Sequence, residues 1–311
     1  MPDGALRLTE QQFCGLLSAA VHNCTVCVRL FSLPGLPHVP EVQSYLDRHY
    51  EGIDELWESP LDGLIVTGAE PRTAALSDES YWPVLAKLVD WAEEHTISAV
   101  WSCLAAYAAV LQRDGIRHRH LRDKIFGLYD CTKASDHPIL AGAPSGWRIP
   151  HSRYDDLPED ALAAGGYGIL SRSVAGADMF VKQRKSLFVF LQGHPEYDNQ
   201  ALLREYHRDI RRFLNGESES YPEMPRGYFS DGTADALAEL RTRALRERNL
   251  ALLRHFPAVP SAAKCDWRQL AICVYTNWVS YLKEGRYQKS RRPASNYLAE
   301  LLRRASRSEL R

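Results

Sequence analysis

The sequence has no long apolar run. Nothing in it approaches the ~18 consecutive apolar residues of a membrane-crossing helix. It also has no excess of charge: 38 Lys and Arg against 39 Asp and Glu leave a formal net charge of −1. Such a balance offers no global attraction to nucleic acid or to an anionic membrane. The first residues, MPDGALRLTEQQF, do not have the basic-then-apolar order of a secretory signal. A soluble, cytoplasmic protein acting on small molecules is expected, with no nucleic-acid or membrane partner. No internal repeat or low-complexity tract is present.

Cysteines are few and odd in number, seven at positions 14, 24, 27, 103, 131, 265 and 273. Without a signal, that argues for reduced thiols rather than a disulfide framework. Cys24 and Cys27 have the spacing of half a zinc or redox site, but no second C-x-x-C accompanies them. They sit in CTVCVRLFSL, a β-branched run, and on a strand residues i and i+3 face opposite sides. A role in the core of a strand is expected for them, and no metal.

What is present is a chain of 311 residues, 45% of them hydrophobic, enough for one large domain or a domain with an appendage. Residues 8–21 have helical spacing, 25–33 read as a strand, and 33–40 as a Pro-rich loop. Residues 61–71 read as a buried strand ending in a glycine loop, and 81–95 as an amphipathic helix. A strand over 97–103 and a helix over 104–115 follow. Alternation of this kind predicts an α/β fold with a mostly parallel, flavodoxin-like sheet and flanking helices. The middle breaks into short β-prone pieces, predicting an antiparallel extension before a return to the main sheet at 186–192. A helix over 199–216 closes an α/β domain spanning 1–216. Residues 217–311 are expected to form a helical extension packed on it, with helices near 233–256, 266–283 and 294–306. The basic face of the last is read as solvated.

Three features carry chemistry. In SAVWSCLAAYAA (98–109), Cys103 stands where a strand becomes a helix. A sulfur there lies at the carboxyl end of a parallel sheet, where open α/β sheets place their sites. The helix start favours a thiolate, and the N–H of Leu104 points where an oxyanion would form. The competing reading is a small buried hydrophobe. In LFVFLQGHPEYD (187–198), His194 is followed two residues later by Glu196, which could fix its tautomer and stabilise its cation. A capped loop histidine is the alternative. In IVTGAEPR (65–72), backbone N–H groups of Gly68 and Ala69 could complete an oxyanion hole, or simply make a turn. His118 and His120, in RHRHLRD, are read as a polar surface loop with no carboxylate nearby.

The order strand–Cys–helix, PHSRY (150–154), GHPEYD (193–198) resembles the homoserine O-acyltransferases built on the class I glutamine-amidotransferase fold. LDGLIVTGA, DKIFGLYD, EYHRD and NWVSYL follow in the family's order, over about residues 1–285. The resemblance implies ping-pong transfer of an acyl group from acyl-CoA to the hydroxyl of L-homoserine, a step toward methionine, with no bound cofactor. It implies Cys103 as nucleophile, His194 as base and Glu196 as its orienter. Lys124, Ser152 and Arg208 match substrate-binding positions, Arg208 for the amino acid's carboxylate. Arg72 aligns with the acyl-donor selector. A cation there favours the free carboxylate of a succinyl group, so succinyl is expected over acetyl.

The run LAAYAA departs from the family's WGAQAA-like pattern. The family also has a strand before the point where this chain starts, so a missing first strand is expected. Upstream codons in frame would have to encode an apolar β-run. Alternatives are another hydroxy amino acid such as serine as acceptor, or a glutamine amidotransferase-like cysteine hydrolase. A homodimer and a monomer are both compatible with the sequence.

Overall fold

The computed structural model describes residues 3–22, 24–68, 71–73, 75–259 and 267–291. The chain opens with α1 (Leu6–Ala20), α2 (Pro40–His49) and α3 (Ile53–Trp57). Then β1 (Gly63–Thr67), α4 (Trp82–His95), β2 (Ser98–Ser102) and α5 (Leu104–Asp114) supply the expected strand–helix alternation. The middle holds β3 (Arg119–Lys133), β4 (Gly146–Asp156), α6 (Glu159–Ala164), β5 (Gly168–Ser173) and β6 (Gly176–Gln183). β7 (Leu187–Leu191), α7 (Ala201–Leu214), α8 (Asp231–Glu247) and α9 (Trp267–Arg291) complete it. The helix expected near 294–306 lies outside the described residues. No helix of the described residues is long and apolar enough to cross a membrane.

Seven strands form one sheet in the order β1-β2-β7-β6-β5-β3-β4. β1, β2 and β7 are parallel. Every pairing from β7 outward to β4 is antiparallel. The parallel part of the α/β sheet is thus these three strands, and the antiparallel extension holds the other four. The physical reason lies in the connections. A parallel neighbour needs a crossover long enough to carry a helix, as α4 does between β1 and β2. The links from β5 to β6 and from β6 to β7 are too short for anything but hairpin returns.

β2 and β7 are buried along their whole length. That is what a sheet covered on both faces requires. On one face α4 and α5 pack over Trp101, Phe180, Phe188 and Phe190. On the other, α1, α7, α8 and α9 join Val100, Val189 and Leu191 in a second cluster. Trp278 of α9 reaches the sheet and donates its indole N–H to Ser98 Oγ at 2.9 Å. The first seven residues of α5 are all buried, which explains the small-residue run: alanines let a helix lie close to both β2 and α4. Gly115, at φ +68°, ends α5 in the left-handed conformation that glycine adopts without strain.

Two expectations are corrected. Residues 25–33 are not a strand of the sheet. Only Phe31 bridges, in parallel, to Glu51. Val26 and Val28 are 39% and 45% exposed and Cys27 is exposed, while Cys24, Phe31 and Leu33 are only half-buried against the core, so Cys24 and Cys27 are not strand core. A β-prone run becomes a strand only where an edge is offered, and here the pairing is confined to the Phe31 bridge, where Glu51 N donates to Leu30 O and Ser32 N to Glu51 O. His118 and His120, read as loop histidines without a carboxylate, instead flank the start of β3. The β3–β4 register sets His120 opposite Asp155, with Nδ1 3.0 Å from its Oδ1.

Candidate active site

β2 ends at Ser102 and α5 begins at Leu104, so Cys103 alone makes the turn. Its backbone sits at φ 53°, ψ −119°, positive φ in a residue with a Cβ. Such strain costs about 1–3 kcal/mol and persists only where the surroundings impose it. Here they do. The Cys103 N–H donates to Leu191 O at 2.7 Å, binding the turn to the end of β7, and its carbonyl accepts from Ala106 N at 2.9 Å. Of the two variants that remove the sulfur, Cys103→Gly is therefore expected to be more stable than Cys103→Ala by about 1 kcal/mol. Thermal melts of the two proteins check this; equal midpoints would show that the turn is unstrained.

β7 delivers the second group. The backbone N–H of His194 donates to Pro150 O at 2.8 Å, and its imidazole Nδ1 lies 2.7 Å from Glu196 Oε1. Glu196 is 2% exposed, and its other oxygen has no hydrogen-bond partner among the described residues, so the carboxylate is directed at the ring. Tyr197 stacks on the imidazole, centroids 4.2 Å apart and planes at 18°. The remaining face of His194 meets the Cys103 sulfur within hydrogen-bonding reach. Burial works against charging this ring, but the Glu196 carboxylate and the Cys103 sulfur outweigh it and raise His194 well above its ordinary value. The geometry sets the imidazole between the Glu196 carboxylate and the Cys103 sulfur.

Gly68 follows β1 and packs against the start of α5. A Cβ there would stand 2.5 Å from Leu104 Cβ and 3.0 Å from Leu104 N, so only glycine lets the two backbones approach. The first N–H groups of α5, Leu104 among them, have no intrahelical partner. Ala69 lies outside the described residues. Beyond it, the loop carrying Arg72 is closed by buried Glu79, whose carboxylate accepts from the N–H groups of Arg72 (2.5 Å) and Thr73 (2.7 Å). Burial pushes Glu79 up, but these hydrogen bonds prevail and hold it below the usual carboxylate value.

Lys124, Ser152 and Arg208, far apart in sequence, are gathered around two carboxylates of α7. Lys124 Nζ lies 3.2 Å from Asp209 Oδ2 and 3.8 Å from Glu205 Oε2. Ser152 Oγ donates to Glu205, and Arg208 Nε donates to Asp209 Oδ1 at 2.8 Å. Tyr197 OH donates to Glu205 Oε1 at 2.5 Å, which links this cluster to the imidazole it stacks on. Sequence reasoning missed Tyr197, Glu205 and Asp209. A signal was available: Glu205, Arg208 and Asp209 stand at i, i+3 and i+4 of a helix, hence on one face.

By its geometry this is a Cys–His–Glu site at the carboxyl end of a parallel sheet in an α/β protein. The sequence model of the homoserine O-succinyltransferase family matches residues 1–290. The chain is 44% identical over 287 residues to the homoserine O-succinyltransferase of Methylorubrum extorquens, covering 91% of this chain and 85% of that one. It is 43% identical over 287 residues to the one of Bradyrhizobium japonicum, covering 92% and 88%. Among solved structures, a glutamine amido transferase from Methylobacillus flagellatus is similar at 15% identity and a TM-score of 0.45, over 77% of this chain and 88% of that one. The chain belongs to the homoserine O-succinyltransferase family.

Proposed function

We propose that this chain transfers the succinyl group of succinyl-CoA to the hydroxyl of L-homoserine, in the route to methionine, through a thioester on Cys103. The observation that carries the reading is the strained Cys103 turn facing a His194 imidazole whose other nitrogen is held by Glu196. His194 takes the thiol proton, and the thiolate attacks the thioester carbonyl. The tetrahedral oxyanion is held by the N–H of Leu104 and by the backbone after β1, at Gly68 and Ala69. The bond to the CoA sulfur breaks, and CoA leaves with the proton from His194. The homoserine hydroxyl then gives its proton to His194 and attacks the acyl carbon. The Cys103 sulfur departs as thiolate. Stacking of Tyr197 on the ring helps to keep water from the intermediate.

The acceptor is a zwitterion, and the α7 cluster offers both signs beside the base. Arg208 suits its carboxylate, as bidentate recognition requires a guanidinium. Glu205, held by Ser152, Tyr197 and Lys124, suits its ammonium. Residues 217–311 are read as a helical extension of the α/β domain, and the work is assigned to the cytoplasm.

The test is intact-mass spectrometry of the protein mixed with succinyl-CoA or acetyl-CoA, followed by an acceptor screen. A mass gain of one succinyl group on Cys103, discharged by homoserine and not by serine, is expected. No adduct with either donor, together with glutamine hydrolysis, would overturn the reading in favour of an amidotransferase-like hydrolase. Arg72 is assigned to the donor's free carboxylate. Arg72→Ala is accordingly expected to raise KM for succinyl-CoA about tenfold while leaving acetyl-CoA unaffected, the loss of one partly exposed charge contact. Equal effects on both donors would remove that role.

A further inference from the structure

The turn that carries His194 rests on a buried network one layer below it. Gln192 donates its backbone N–H to Asp178 O at 2.8 Å, and its side chain bridges Leu157 N and Ala177 O at 3.0 and 2.6 Å. Next to it, Gly193 lies directly on β4 and β6. A Cβ at Gly193 would stand 2.4 Å from Ile149 Cγ2, 2.7 Å from Asp178 Oδ1 and 3.1 Å from His151 Cε1. The height of the turn above the sheet is therefore set by Ile149, His151 and Asp178.

His151 and Asp178 are 0% and 3% exposed. Arg153 Nε donates to His151 Nδ1 at 3.3 Å. A guanidinium can only donate, so Nδ1 carries no proton and the ring is neutral with its proton on Nε2. That nitrogen faces Asp178 Oδ1 at 3.3 Å, a long contact off the line of a good hydrogen bond. Ser171 Oγ donates to Asp178 Oδ2 at 2.8 Å. Burial pushes His151 down, as a neutral ring requires. Burial works to raise Asp178, but His151, Ser171 and the nearby Arg153 outweigh it and keep it charged.

Cys131 completes a Cys–His–Asp group whose ligand atoms lie within 4.8 Å of one another. A metal would need the thiolate, whereas burial and Asp178 push this thiol far up. The group is a neutral thiol and a neutral imidazole around one carboxylate, with His151 Nε2 held near Asp178 without a good hydrogen bond among the described residues.

We propose that the His151–Asp178 pair is the positioning device for His194: it fixes Gly193 and thereby the direction in which the imidazole faces Cys103. The inference rests on the Cys103–His194 reading above. The pair touches the turn and not the donor, so its loss acts on the acylation rate and leaves donor binding alone. It gives the PHSRY segment a second task beside substrate contact, since Pro150 O and His151 both support the His194 turn.

The experiment compares His151→Gln, His151→Asn and Asp178→Asn by the pH profile of Cys103 alkylation with iodoacetamide, single-turnover acylation and thermal melts. Glutamine reaches far enough to donate to Asp178; asparagine reaches only Arg153. Wild-type-like profiles are expected for His151→Gln. His151→Asn and Asp178→Asn are expected to shift the profile and to slow acylation by about 10²-fold, the cost of an ångström of misplacement, with KM for the donor unchanged. Unshifted profiles and rates in both Asn variants would overturn the proposal. So would equal losses in all three variants with an unmoved profile, which would mark a purely structural pair. If the variants do not fold, Ser171→Ala, which removes one bond to Asp178 from the far side, must shift the profile in the same direction. Alkylation needs no substrate. A protein that alkylates with a His194-dependent profile yet transfers no acyl group would refute the proposed reaction and leave this inference standing.

Discussion

Cys103→Ala is expected to yield no acyl-enzyme and to lower kcat by about 10⁴-fold or more, the loss typical when a covalent nucleophile is removed from an otherwise intact site. The size of the effect follows from the geometry. Cys103 is the single residue between β2 and α5, and its N–H is tied to Leu191 O at 2.7 Å, at the end of the strand that leads to His194. Among the described residues no other cysteine is so placed. Cys131 is buried with its thiol pushed up, and Cys14 is raised by burial as well. After mixing with succinyl-CoA, the wild-type protein should gain one succinyl group and the variant none, and initial-rate plots for the wild type should be parallel. Turnover that persists in Cys103→Ala would mean direct transfer between two bound substrates, and the acyl-enzyme would have to be abandoned.

Glu196→Gln is expected to have the next largest effect, about 10²- to 10⁴-fold on kcat. The carboxylate accepts from His194 Nδ1 at 2.7 Å and thereby leaves Nε2 to face the sulfur. A glutamine amide can donate to Nδ1 instead, which turns the tautomer round and presents an N–H where the base is needed. The sign of the pH effect follows from the same contact. Burial disfavours the His194 cation, and the Glu196 charge does most to overcome it. Without that charge the ring loses its proton at a lower pH, and the limb of the pH–rate profile that reports His194 should move down. Profiles of single-turnover acylation for both proteins check this. A limb that stays in place would mean that Glu196 only fills space.

Much of this site was legible in the sequence because its parts sit at junctions between elements. A β-prone run ending in one cysteine before an alanine-rich segment locates Cys103, since periodicity changes from 2 to 3.6 at that residue. His194 and Glu196 are two residues apart, so an extended link with Pro195 suffices to bring both to one side. Lys124, Ser152 and Arg208 came only from resemblance. No local rule brings a residue of β3, one of β4 and one of α7 together, and their meeting around Glu205 and Asp209 is a product of the β3–β4 register and the docking of α7. The segment 25–33 failed for the complementary reason: its composition suits a strand, but pairing depends on an edge elsewhere in the chain.

The sequence by itself determined the alternation that makes an α/β sheet, the place of the nucleophile and the link from base to carboxylate, because each depends on residues within a few positions of one another. Tertiary structure alone decided how many strands run parallel and which side chains surround His194. It also decided that His151 and Asp178 lie beneath Gly193. Burial and long-range contact set charge states, such as the raised His194 and the neutral His151, and both arise only once distant strands are packed side by side.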